Sequence, residues 1–396
     1  MSNAADRPPR WLAELLDRFD ESCFTPPPRE QRLRVISSAS QRDVVIGPRG
    51  VRVESARGRG DATLRADAAT WAGIAADVRG GLAAYGEGRL RVQGNLHLAV
   101  GFLAATGGST DPGRLRLVMV DTPLGQIATQ QAGTGEPVLM LHGLGATKAS
   151  FLPTVNALAP QYRCIAVDLP GFGDSAKPIG APYHAPYFAR AACAVLDALD
   201  LDRAHLIGHS MGGRAALEMG MRHPERTGAL ALLMPSMAWR RARPWAPWLR
   251  WIRPELGLLQ LAPRPAVEAV VRRMIPGAAG GWMEAGIDEF LRAYLDPRGR
   301  AAFYAAARSI YLENPDGERG FWTKLATMRR PALFVWGTRD TLVPRAFERH
   351  VREVLPQAGQ VTVDSGHVPQ FERPAQLHGV LLDFLARHPL RGRRAA

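Results

Sequence analysis

At 396 residues, 46% of them hydrophobic, the chain is long enough for two domains and a sizeable core. Its three cysteines, Cys23, Cys164 and Cys193, are too few and too scattered for a disulfide framework or a zinc site, and a cytoplasmic setting is expected. The formal charge of +13 is carried mainly by arginine and is read as compositional, with no nucleic-acid partner expected; no run of about eighteen apolar residues offers a membrane span.

The N-terminal "MSNAADRPPRWLAELLDRFDES" scatters acids and arginines through its apolar positions, unlike a secretory signal. Trp11, Leu12, Leu15, Leu16 and Phe19 instead form one face of a short docking helix. From Gln31 to Asp67 the runs "LRVIS", "RDVVIG", "VRVES" and "DATLRAD", divided by "GPRG" and "RGRG", predict a strand-and-hairpin meander. "AATWAGIAADVRGGLAAYGEG" predicts helix, break, helix, and "RLRVQGNLHLAVGFLAA" a strand, a turn and an apolar helix. The polar, glycine-rich "TGGSTDPGR" (Thr106–Arg114) marks a boundary between a small α+β module at 1–110 and a second domain at 115–390. Beyond it, strands such as "PVLMLHG", "RCIAVDLPG", "RAHLIGHS", "GALALLMPS", "PALFVWG" and "QVTVDSG" alternate with helices, the pattern of a parallel sheet covered by helices. The rhythm fails between Ser236 and about Phe321, a stretch rich in tryptophan, proline and arginine that is predicted to be a helical insertion.

"LIGHSMGGRAA" (Leu206–Ala216) places Ser210 between a strand and a helix inside Gly-x-Ser-x-Gly, a nucleophile elbow. Gly208 and Gly212 make room for a sharp turn that exposes the serine hydroxyl. Serine needs a base, and the base an orienting acid. The order that follows such an elbow is acid, then histidine. "FVWGTRDTLVP" puts Asp340 just beyond one buried strand and "VTVDSGHVPQFERP" puts His367 just beyond the last. Parallel strands share a carboxyl edge, so both residues are expected beside Ser210. Asp364, at the end of its strand, reads as a surface or turn acid, and Asp168 and Asp174 in "DLPGFGDS" as turn acids. An oxyanion hole needs two N–H donors. Met211 is expected to supply one, and Leu144 in "HGLG" the other, with Gly143 and Gly145 letting that loop turn and His142 bonding within it.

The stretches "HGLG", "DLPGFGDS", "GHSMGG", "GTRDTLVP" and "SGHVPQFERP", in this order and spacing, resemble the α/β-hydrolase family over Leu115–Pro389. The resemblance implies an α/β fold with a mostly parallel eight-stranded sheet flanked by helices, and a cap inserted at about 236–321. A serine at the elbow argues against the branches that use aspartate there. Esterases, lipases, thioesterases, carbon–carbon bond hydrolases and cofactor-free perhydrolases remain, and no metal or cofactor is called for. The segment from "DATLRAD" to "GFLAA" resembles the sterol-carrier-protein type of lipid-binding domain over Gln31–Ala105, although it is shorter and lacks part of the opening helices. The bland alternative is a module used only for contact or dimerisation.

Between Ser236 and Ile275 there are eight arginines and two acids, a net +6. Trp245, Trp248, Leu249 and Ile252 fall at helical spacing, and Trp239, Trp245 and Trp248 are candidates for lining the substrate entrance. The alternative is an interfacial helix in peripheral contact with an anionic membrane. Either way the expected substrate is an apolar or lipid-like ester, cleaved by Ser210, His367 and Asp340. The rival readings are carbon–carbon or thioester cleavage, and a lipid-binding protein with a vestigial hydrolase half. Oligomeric state is not legible.

Overall fold

Two β-sheets organise the residues that the computed structural model describes, which are 8–38, 40–76, 84, 88–238, 244–251, 253–259, 263–266, 268–269 and 281–390. The first sheet comprises β1 (Gln31–Ile36), β2 (Gln41–Gly47), β3 (Gly50–Ser55), β4 (Ala62–Arg65) and β5 (Arg91–Gly94), in the order β3-β2-β1-β4-β5. β1, β2 and β3 form the expected antiparallel hairpins. The fourth strand departs from a meander: β4 crosses to the far side of β1 and pairs with it in parallel, Leu33 opposite Ala62. Charged groups hold that crossing. The Asp61 carboxylate accepts the Arg32 N–H at 2.7 Å. Arg34 forks onto the buried Asp43 at 2.8 and 3.0 Å and also donates to the carbonyls of Arg57 and Gly58. Such contacts leave no period in the sequence, which is why the crossing is not legible there.

Helices α1 (Arg10–Leu16), α2 (Ala68–Ala76) and α3 (Leu96–Ala105) share one apolar core with this sheet. Leu12 and Leu15 of α1 are buried, and Trp11 stacks on Trp71 with ring centroids 4.8 Å apart. The second helix expected in "AATWAGIAADVRGGLAAYGEG" falls largely outside the described residues. α3 begins at Asn95, whose side chain accepts the Leu98 N–H at 3.1 Å as an N-cap. All its residues except His97 are buried, and it packs against both sheets.

The second sheet comprises β6 (Arg116–Thr122), β7 (Gly125–Ala132), β8 (Glu136–Leu141), β9 (Tyr162–Val167), β10 (Ala204–His209), β11 (Thr227–Leu233), β12 (Ala332–Gly337) and β13 (Gly359–Val363). Its order is β13-β12-β11-β10-β8-β9-β7-β6. β6 and β7 are antiparallel to their neighbours and the remaining strands run parallel. The inner strands are buried apolar runs, as a parallel sheet covered on both faces requires. Residues 23–25 extend along the outer edge of β6: Thr25 N–H donates to Leu117 at 3.0 Å and Leu117 N–H to Cys23 at 2.7 Å. An otherwise open edge is thereby paired, and the small module is bound into the larger sheet.

Strand order reverses between β8 and β10, so loops leaving the carboxyl ends of these strands diverge and open a crevice. Gly208 lies opposite Leu141 in the register, which sets the loop after β8 beside the turn after β10. Helices α4 (Leu152–Leu158) and α5 (Ala185–Ala198) pack on the sheet, and over this edge lies the insertion between β11 and β12. Its second part is helical, with α7 (Gly281–Leu295) and α8 (Pro297–Leu312). From Trp245 to Leu259 it is not the expected α-helix: the described residues there form two short 3-10 turns, Ala246–Trp251 and Pro254–Leu258. Pro244, Pro247 and Pro254 fix their own φ and lack an N–H, so they divide this run before an α-helix can propagate.

Candidate active site

Ser210 sits between β10 and α6 (Met211–Arg222), with φ 50°, a left-handed conformation rare for a side chain of its kind. The surrounding bonds impose it: Ser210 N–H donates to Leu233 at 2.9 Å, and the Ser210 carbonyl accepts from Arg214 and Ser236 at 3.1 and 3.0 Å. Such strain persists only where neighbours over-determine it. Gly212 is obligatory because a Cβ there would run into the Leu141 carbonyl, and at Gly208 it would lie 2.5 Å from the Gly212 carbonyl.

Asp340 follows β12 and His367 follows β13, and the two meet: His367 Nδ1 lies 2.8 Å from Asp340 Oδ2. The carboxylate is held from the other side by the N–H groups of Leu342 and Val343 at 2.8 and 3.1 Å. Burial raises the Asp340 pKa, but the hydrogen bond and charge of His367 and these N–H groups outweigh it and leave the carboxyl below its usual range. With the carboxylate ionised, Nδ1 is the protonated nitrogen and Nε2 is left to act as a base. The Ser210 hydroxyl hydrogen-bonds Ser236 Oγ at 3.3 Å, a long contact; among the described residues no hydrogen bond joins it to His367. Catalytic hydrogen bonds are often long before substrate binds.

Two residues not singled out in the sequence hold His367 in place. His209 Nε2 donates to the His367 carbonyl at 2.7 Å, so its buried Nδ1 is bare, and burial pushes its pKa down to about 3. Glu372 accepts the N–H groups of Gly366 and Val368, at 2.8 and 3.3 Å, on either side of the histidine. His209 precedes the serine directly and Glu372 lies inside "SGHVPQFERP". Both were in view, but neither spacing says where a side chain turns.

The loop after β8 carries His142, Gly143, Leu144 and Gly145. His142 Nδ1 donates to the Gly143 carbonyl at 2.8 Å while Nε2 accepts the Leu169 N–H at 3.0 Å, which fixes its tautomer and uses both nitrogens. A Cβ on Gly143 would lie 3.3 Å from Ser210 Cβ, so this backbone passes directly over the serine. Gly145 has φ +75°, and a Cβ there would strike the Phe290 ring of α7. Met211 opens α6, where N–H groups lack intrahelical partners. Of the two expected oxyanion donors, Met211 thus adjoins Ser210 in the chain and Leu144 follows the glycine whose backbone passes over it.

Asp168 and Asp174 lie in the expected loop, where Asp168 Oδ2 accepts the Asp174 N–H at 2.8 Å, but they do more than shape it. Asp168 is fully buried and accepts from Lys148 Nζ at 2.7 Å and from the Lys148 N–H at 2.6 Å. Asp174 accepts from Lys148 Nζ at 3.1 Å and from Arg292 of α7 at 2.7 and 3.1 Å, and Arg292 also donates to Glu289 at 2.7 Å. His97 of α3 lies 3.7 Å from Asp174, and Gly94 N–H donates to Asp288 of α7 at 3.0 Å. Module, sheet and cap therefore meet at one ion cluster just beyond the loop after β8. Burial raises the pKa of both acids, but Lys148 at Asp168, and Arg292 with His97 at Asp174, bring them below the usual range. Asp364 is exposed and ion-pairs with Arg339 and Arg373 at 3.1 and 3.2 Å. No group of three metal-ligating side chains occurs among the described residues.

The residues at 136–260 match the model of the alpha/beta hydrolase fold. A 2-hydroxy-6-oxononadienedioate/2-hydroxy-6-oxononatrienedioate hydrolase of Cupriavidus pinatubonensis is 30% identical over 296 residues, 70% of this chain and 96% of that protein. The chain belongs to the α/β-hydrolase family. It is an enzyme of the hydrolase type. A pimeloyl-[acyl-carrier protein] methyl ester esterase of Aeromonas hydrophila is 28% identical, over 65% of this hydrolase and 99% of the esterase. The hydrolase spans 64% of the length of another relative, the dihydrolipoyllysine-residue acetyltransferase component of an acetoin cleaving system of Pseudomonas putida, at 30% identity. A solved membrane phospholipase A shares 26% identity with a TM-score of 0.56, covering 69% of this hydrolase and 86% of that chain.

Of the cap candidates, Trp239 lies outside the described residues. Trp245 is half exposed and touches Tyr311 with ring centroids 5.3 Å apart, and Trp248 is 74% exposed. Neither lines the two cavities described on this face. The larger, about 450 Å³, is bordered by Ile179, Tyr183, Pro254 and Arg308 among others. The smaller, about 160 Å³, shares Tyr183, Ser309 and Glu313 with it and reaches Met211. Among the described residues, this open space lies between α8 and the Pro178–Tyr183 loop.

Proposed function

We propose that this hydrolase cleaves a carboxylic ester of an apolar or lipid-like molecule through a Ser210–His367–Asp340 triad. The observation that carries the reading is the strained Ser210 at the strand–helix turn, with the Asp340-bound His367 at the neighbouring strand ends. Ser210 Oγ attacks the ester carbonyl and its proton passes to His367 Nε2. Asp340 keeps the imidazole in the required tautomer and stabilises the imidazolium. The N–H groups of Leu144 and Met211 receive the oxyanion. His367 then protonates the departing alcohol, and a water activated by the same nitrogen releases the acid from the acyl-enzyme. None of these steps calls on a metal or cofactor.

A second reading, hydrolysis of a carbon–carbon bond in a vinylogous diketone, is favoured by relatives that bear such names. Activated esters of increasing acyl length, run against a vinylogous diketone with wild type and Ser210→Ala, separate the two. Turnover of esters that rises with chain length and vanishes in Ser210→Ala supports the first. Turnover of the diketone alone supports the second. No turnover of either, with lipid bound, would leave the N-terminal module as the functional half. That module's likeness to a lipid carrier is a proposal on sequence alone, and its apolar helix α3 is packed against protein on both sides.

A further inference from the structure

We propose that the tryptophan ridge of the cap is a docking surface for an anionic lipid bilayer, which brings the mouth of the substrate cavity to the lipid. In the turn Ala246–Trp251, the Trp248 N–H donates to the Trp245 carbonyl at 3.1 Å, an i→i+3 pattern. A 3-10 turn has three residues per turn, so residues three apart eclipse. Trp245, Trp248 and Trp251 therefore stand on one side of the element. An α-helix would have turned them progressively away from one another. The ridge faces water: Trp251 is 70% exposed, and beside it in the chain Leu256 and Leu259 are 59% and 82% exposed. Residues of this size rarely stand exposed together unless they meet another apolar phase.

The charge around the ridge selects the partner. Arg250 and Arg253 are exposed within the ridge, and Arg250 lies over the Trp251 ring at 5.1 Å. Along the ridge these two arginines stand against the single acid Glu255; the adjoining cavity is balanced, Arg298 and Arg308 facing Glu255 and Glu313, the last of them paired with Arg214. Tryptophan and arginine side by side suit the boundary of acyl chains and headgroups, where the indole is amphipathic and the guanidinium meets phosphate. The cavity of about 450 Å³ opens at this ridge, with Ile179, 60% exposed, on its rim. It adjoins the cavity that reaches Met211, next to Ser210. The two cavities share Tyr183, Ser309 and Glu313, so an acyl chain leaving the bilayer would have lined space as far as Met211, one residue from the serine. That delivery rests on the ester reading above; the docking does not.

The test uses the full chain and vesicles of phosphatidylglycerol with phosphatidylcholine, against phosphatidylcholine alone, at low and high salt. Binding is read by co-sedimentation and by a blue shift of tryptophan emission. The expected result is binding to the anionic vesicles at low salt that weakens as salt rises. Arg250→Gln with Arg253→Gln should weaken it by about fivefold for each arginine. Trp251→Ser with Leu259→Ser should weaken it at least as much. Turnover of a soluble short-chain ester should be unchanged in both double variants. Absence of binding at either salt, or binding indifferent to both double variants, would overturn the proposal. So would self-association in sedimentation velocity that Trp251→Ser with Leu259→Ser abolishes while vesicles are ignored, since a second copy would then cover the ridge. Vesicle binding without turnover of any ester would instead remove the ester reading and leave the docking intact.

Discussion

Two acid clusters stand at the carboxyl edge of the same sheet, on opposite sides of the β8–β10 pair. Asp340, after β12, faces an imidazole. Asp168 and Asp174, after β9, face Lys148 and Arg292. Both sets are largely buried, and both have carboxyl pKa values below the usual range. The partner separates them. An imidazole can take up and release a proton within a reaction, so the acid beside it can support a proton transfer. Lysine and arginine keep their charge, so the acids beside them are committed to neutralisation and can only hold parts together. The parts held are the loop after β8, the cap helix α7 and the N-terminal module. Burial and a shifted pKa do not by themselves mark chemistry.

Substitutions in the two clusters should fail in different ways. The largest effect belongs to the serine site: Ser210→Ala or His367→Ala should lower kcat by about 10⁶-fold with the thermal midpoint nearly unchanged. Asp340→Asn should cost about 10⁴-fold, because the histidine is then held in the wrong tautomer. Steady-state kinetics and thermal melts on the same samples check both. If these variants unfolded instead, the distinction between the clusters would fail.

The reverse holds in the other cluster. Lys148→Met leaves Asp168 buried without its cation and should cost about 3–5 kcal/mol of stability. The folded fraction should keep its turnover to within about tenfold, since an imperfectly held oxyanion loop costs less than a missing donor. Denaturant titration with kinetics below the transition measures both terms. A stable Lys148→Met protein without turnover would move this cluster into the chemistry.

How much of this was legible in the sequence follows from the range of the interactions. The elbow shows because the crowded positions themselves lie within two residues of Ser210 in the chain: Gly208 is pressed by Gly212 and Gly213, and Gly212 by Leu141 of the neighbouring strand. Asp340 and His367 show because strand ends in a parallel sheet share an edge. The ion cluster does not show, because His97, Lys148, Asp174 and Arg292 come from four separate stretches of chain and are joined only by folding. "DLPGFGDS" reads as a turn whether or not a lysine waits beneath it. The cap's first half was misjudged because the periodicity of Trp245, Trp248 and Leu249 suits an α-helix, whereas Pro247 and Pro254 leave room only for short 3-10 turns.

Acid should act on stability before it acts on the carboxylates. His97 and His378 have pKa values pushed down to about 4 and His209 to about 3, burial being the main cause in each. A depressed histidine pKa means that the unfolded chain binds the extra proton first. Stability should therefore fall as pH drops from the ordinary histidine range, by about 1.4 kcal/mol per pH unit for each such histidine. Asp168 and Asp174, depressed in the folded state, contribute above their unfolded values and lose that contribution only at more acid pH. Thermal midpoints across this range check the order, and His97→Gln should flatten the upper part of the curve. The smallest effect is expected at Ser236→Ala. Its 3.3 Å contact to Ser210 is long, so kcat should change by about twofold to tenfold.

Labelling by a fluorophosphonate tests the central claim most directly, because the reagent reports which hydroxyl is activated without any choice of substrate. Ser236, 3.3 Å away, is the nearest rival nucleophile. Peptide mapping should find one adduct, on Ser210, that disappears in Ser210→Ala, falls sharply in His367→Ala and persists in Ser236→Ala. An adduct on Ser236 or another serine, with turnover retained in Ser210→Ala, would contradict the account.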